Sequence, residues 1–85
     1  MNFITIVWDE SPGGNVEHVE KHGLTTEEVD EVLQDPHSSF DYSRTTGYPA
    51  AFGGTSTGRY IIVIFDEIEA SAVYPITAYD VERPF

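Results

Sequence analysis

The chain has 85 residues with 15 Asp and Glu against four Lys and Arg, a formal charge of −11, and no cysteine. That length makes one domain, which buries only about 60% of the surface its unfolded chain exposes. The missing cysteines exclude disulfides and thiolate metal sites, and four scattered cations, Lys21, Arg44, Arg59 and Arg83, argue against nucleic acid, whose binding depends on clustered Lys and Arg.

The amino-terminal stretch from Met1 to Trp8 has no basic segment followed by a small-residue cleavage site. No apolar run approaches the roughly 18 residues of a membrane span. The expectation is a cytoplasmic protein with no membrane association.

Phe3-Ile4-Thr5-Ile6-Val7-Trp8 is rich in β-branched and aromatic residues and reads as a first strand largely buried on both faces. Ser11-Pro12-Gly13-Gly14 is a loop, and Asn15 is placed to cap a first helix that runs to His22. Gly23 is the residue type that ends a helix with positive φ. Thr25 can cap the next helix, with Glu28 completing a capping box and Leu24 and Val29 at the positions of a hydrophobic staple. Val29, Val32 and Leu33 form its apolar stripe, and Pro36 stops it.

Beyond Pro36 the pattern turns to strands. Residues 39–43 and 50–53 read as a hairpin around the turn Arg44-Thr45-Thr46-Gly47. Arg59 to Phe65 is the longest apolar run and reads as the central strand. Asp66 to Glu69 reads as a reversal, and Ser71 to Tyr79 as a final strand that Pro75 confines to an edge or a bulge. The order implies an α+β fold, β-α-α-β-β-β(-β), with an antiparallel sheet and two helices on one face.

Nine acids lie between Asp9 and Asp35 against the single cation Lys21. Such a run is either a solvated helical surface or a docking face for a basic partner. His18 and His22 have a spacing that can hold a transition metal, with Glu17 or Asp9 as a third ligand, but a pair alone is not a site. The segment Gly53 to Gly58 lacks the lysine of a phosphate loop and reads as a hairpin connection.

The ordered set Trp8-Asp9-Glu10, Lys21-His22-Gly23, Glu27-Glu28-Val29 running into Asp35-Pro36, Ser56 with Gly58-Arg59, and Ile76-Thr77-Ala78 resembles the BrnT family, a branch of the RelE-like toxins of bacterial toxin–antitoxin pairs. The resemblance implies a RelE-like fold, metal-independent ribonuclease activity without a cofactor, and a cognate antitoxin-like protein partner. On that basis Lys21 and Arg59 would stabilise phosphorane charge, His22 would transfer the proton, Tyr79 would be an auxiliary donor, and Arg44 would help bind RNA. Several cations usual in the family are replaced here, by Ser11-Pro12-Gly13-Gly14, by Tyr48-Pro49-Ala50 and by Tyr79-Asp80. The alternative is a catalytically inactive module of the same fold that docks a basic partner through its acidic helices.

Overall fold

The computed structural model describes residues 5–83. Five strands and two helices follow in the order β1 (Thr5–Ile6), α1 (Asn15–Lys21), α2 (Thr26–Gln34), β2 (Ser39–Tyr42), β3 (Pro49–Gly54), β4 (Tyr60–Glu69) and β5 (Ala72–Asp80). The strands form one sheet in the order β1-β5-β4-β3-β2. Neighbours are antiparallel from β2 to β5, while β1 runs parallel to β5, so the sheet is mixed rather than wholly antiparallel. Nothing local in the first strand encodes this, because its partner lies at the far end of the sequence.

The register places Ala51, Val63 and Ala78 in one row across the three inner strands. Together with Ile61, Phe65 and Val73 they meet Val19, Leu24, Val29, Val32 and Leu33 of the helical layer in one buried cluster. Both helices therefore cover the same face. On β4 the alternate residues Ile62 and Ile64 belong to a second, smaller cluster with Ala50, flanked by Phe52, Ile76 and Val81. Period-2 alternation thus divides the apolar run of β4 between the two faces.

Two strand boundaries differ from the sequence reading. Within the described residues β1 is two residues long, with Thr5 exposed and Ile6 half-buried, and Phe3 and Ile4 lie outside them. As an edge strand it is covered on one side only. The acidic stretch from Asp66 to Glu69 continues β4, because its pairing with β5 persists to Glu69–Ala72 across two register irregularities. One of these lies where Phe65 pairs Pro75 and Ile64 pairs Thr77, leaving Ile76 as an extra residue. A bulge there accommodates the prolyl nitrogen, which has no hydrogen to donate.

The helix grammar is explicit. Thr25 Oγ1 accepts from the Glu28 N–H, and Glu28 Oε1 accepts from the Thr25 N–H at 3.0 Å, a closed capping box. Gly23 has φ +76°. Its N–H donates to Glu20 O, and the Leu24 N–H to Val19 O, the paired bonds of a Schellman ending. Asn15 is not the cap of α1. Gly14 holds that position without a side-chain bond, and the Asn15 amide turns inward, 2% exposed. It donates to Val7 O at 3.0 Å and to Pro75 O at 2.9 Å, and accepts from the Asp9 N–H at 2.7 Å.

Candidate functional site

Arg59 stands at the entrance of β4, where the ends of α1, α2 and β5 converge. Its Nε and Nη2 donate to the two carboxylate oxygens of Asp80 at 2.9 and 2.5 Å, the bidentate fork that a planar guanidinium makes with a carboxylate. Nη1 donates to Gly23 O at 2.5 Å and Nη2 reaches His22 O at 3.5 Å, so the same cation meets the negative end of α1. Nη1 also lies 3.7 Å from Glu28 Oε1. The Asp80 hydrogen bonds raise the guanidinium pKa further above its ordinary value, and in return Arg59 holds Asp80 below the usual carboxylate range. Glu28 is also lowered, chiefly by the Thr57 hydroxyl that donates to it.

The structure brings three of the five candidate residues into one neighbourhood. The His22 ring lies 6.0 Å from that of Tyr79 and 5.8 Å from that of His18, and Arg59 reaches the His22 main-chain carbonyl as well as that of Gly23. Lys21 is engaged elsewhere, its Nζ 3.9 Å from Glu17 Oε1 one turn back on α1. Arg44 lies in the β2–β3 turn, at the opposite end of β3 from Arg59. Among the described residues no group of three or more His, Asp or Glu is arranged to hold a metal.

The dense acids of the helical layer fall into two groups. Glu28 faces Arg59 and Thr57, Glu31 accepts from the Ser56 N–H at 2.8 Å, Asp9 from the Ser11 N–H and Asp35 from the His37 N–H. These carboxylates serve the fold. Glu10, Glu20 and Glu27 do not: they rim a groove of about 370 Å³ between α1 and α2, together with Trp8, Val16 and Thr26. All three are exposed, and among the described residues the bond shown to any of their carboxylates is that from the Thr26 hydroxyl to Glu27.

Trp8 packs against the main core while its indole N–H donates to Asp30 Oδ1 at 3.4 Å. Burial raises the Asp30 pKa, and the charge of Glu27 raises it further. The groove therefore presents an aromatic side chain beside a negative field, chemistry suited to a Lys or Arg side chain. The acidic run itself showed in the sequence, as either a solvated helical surface or a docking face for a basic partner. The place of Trp8 beside it did not, because β1 and the α1–α2 pair meet only in the tertiary structure.

No protein-family model, curated protein or solved structure matches the chain, so the BrnT resemblance rests on its sequence motifs alone. Among the described residues no helix is long and apolar enough to cross a membrane.

Proposed function

We propose that the chain is a protein-binding module that docks a basic partner through the α1–α2 groove. The observation that carries this reading is the contrast within the helical acids: the others named above are tied into the fold, whereas Glu10, Glu20 and Glu27 line one groove with Trp8 and have no cation paired to them among the described residues. Electrostatic complementarity of this kind steers encounter and selects the sign of the partner. Trp8 is the chain's single tryptophan, so its fluorescence reports the groove directly. A lysine-rich octapeptide should shift that emission saturably. The double change Glu20→Gln and Glu27→Gln should weaken binding by about tenfold or more, roughly 1.4 kcal/mol, whereas the same change at Glu69 and Glu82, both exposed and outside the groove, should leave it unaltered. Equal affinity in the two double variants would overturn the proposal.

A second reading is the toxin-like component of a bacterial type II toxin–antitoxin system, acting as a metal-independent ribonuclease. It is favoured by the convergence of Arg59, His22 and Tyr79 at one end of the sheet. Cleavage would require Arg59 to exchange Asp80 for phosphate, with His22 as the proton-transfer group. Expression of the chain alone in bacteria tests it. Growth arrest with RNA breakdown, relieved by His22→Ala, supports this reading, and unimpaired growth with intact RNA removes it.

A further inference from the structure

At the other end of the sheet from Arg59 the helical layer stops short and leaves a cleft of about 420 Å³ on its face. Leu33, Phe65 and Val73 of the core reach its floor, while Phe40 and Tyr42 of β2 form its outer wall. Phe40 meets Phe65 edge to face, with ring centroids 6.4 Å apart. The two wall residues are 50% and 68% exposed, unusual for aromatic side chains placed two apart on one strand. Both charged residues that line the cleft, Asp41 and Glu67, are acidic.

The wall is also the edge of the sheet, since β2 is the terminal strand opposite β1. The Ser43 N–H donates to Tyr48 O across the turn. By the alternation of an antiparallel ladder, Ser39 and Asp41 then bond inward to β3, and the main-chain groups of Phe40 and Tyr42 point outward. The Tyr42 N–H is turned onto its neighbour, donating to Asp41 Oδ1 at 2.8 Å. An outer edge of this kind is a template for another strand.

We propose that the outer edge of β2 accepts an extended segment of a partner protein in which apolar and basic residues alternate, adding as a sixth strand with its apolar side chains in the cleft. The inference rests on the basic-partner reading above and gives such a partner a second contact, at the sheet edge as well as in the α1–α2 groove. Alternation follows from strand geometry: residues two apart share a face, so the apolar ones lie against Phe40 and Tyr42 while the intervening cations lie on the face of Asp41. A cation that draws the Asp41 carboxylate away also frees the Tyr42 N–H for pairing. A second copy of the chain fits less well, because each copy carries −11. An apolar small molecule would fill the cleft but leave the adjoining edge unpaired.

The test uses the full chain, labelled with nitrogen-15, and three blocked octapeptides. One alternates valine and lysine, one has four valines followed by four lysines, and one is the alternating peptide N-methylated at every second residue. The expected result is that the alternating peptide shifts the amide signals of Phe40 to Tyr42, Phe65 and Val73, slows exchange of the Phe40 amide, and binds at least tenfold more tightly than either control. Tyr42→Ser, an exposed change, should weaken it with the spectrum otherwise retained. Equal binding of the N-methylated or block peptide overturns the inference, as does self-association through β2 in sedimentation. Signal changes confined to Trp8, Glu20 and Glu27 overturn it while leaving the basic-partner reading intact. Loss of both responses removes both.

Discussion

The Asn15 side chain makes three main-chain bonds, to Val7 O, Pro75 O and the Asp9 N–H, and so pins the exit of β1 to the bulged segment of β5. Removing a buried partner costs more than the net value of the bonds it made, because groups left behind lose water without replacement. Asn15→Ala should therefore destabilise by about 2–4 kcal/mol, read as a lower urea midpoint, and Asn15→Asp should also destabilise, since a carboxylate cannot donate to two carbonyls. Gly14, immediately before it, is fixed by a different constraint: a Cβ there would stand 2.4 Å from the Asp9 carbonyl oxygen. In sequence Asn15 reads as a helix cap, a role its residue type favours. Its real partners are set by tertiary neighbours, one of them 60 residues away, and no local pattern carries that.

The α1–α2 connection shows the opposite case, an element whose sequence states its structure. Gly23, Thr25, Glu28 and Pro36 mark the stop, cap, box and stop that the chain adopts, because capping is satisfied within four or five residues and needs little from the remainder of the fold. Thr25→Ala should cost about 1 kcal/mol, measurable as a reduced urea midpoint with the fold retained. Arg59 then joins that connection to the sheet through Gly23 O, Glu28 and Asp80. Arg59→Met, which keeps much of the stem but none of the donors, should destabilise by about 1.5–3 kcal/mol, the range for hydrogen bonds to charged groups, whether or not RNA is cleaved. The strands were legible for a related reason, since apolar runs and turn residues are local, whereas their order in the sheet was not. The parallel placement of β1, the continuation of β4 through an acidic stretch and the meeting of Trp8 with the helical acids all depend on partners distant in sequence.

At the scale of the whole molecule, a charge of −11 is confined within 36 × 28 × 26 Å. Screening lengths are about 30 Å at 0.01 M salt and 10 Å at 0.1 M, so at low salt the 15 acids repel one another across the whole molecule, outweighing the attraction of the four cations, and expansion of the chain relieves that repulsion. Added sodium chloride should raise the melting temperature, each 1 kcal/mol of relief amounting to about 4–8 °C for a domain of this size.

The pH dependence has two opposed parts. Asp30, raised by burial and by Glu27, binds its proton more readily folded than unfolded, so it weakens the fold at neutral pH and that penalty fades as pH falls through its raised value. Asp80 and Glu28, lowered by Arg59 and Thr57 respectively, contribute stability that is complete above their ordinary values of 3.8 and 4.5 and is lost as pH falls through their lower folded values. Stability should thus rise as pH falls from neutral through the raised value of Asp30 and decline once pH falls below the ordinary values of Glu28 and Asp80. Asp30→Asn separates the two parts. It retains an acceptor for the Trp8 indole while removing the buried charge, so its urea midpoint at pH 7 should exceed that of the parent and should lack the parent's rise as pH falls from neutral. The same variant should bind the lysine-rich peptide more weakly, because the field that makes Asp30 costly to the fold is the field that a cation in the groove would relieve. A variant that is no more stable at pH 7, or that binds the peptide as tightly as the parent, would disconnect the charge at Asp30 from the groove.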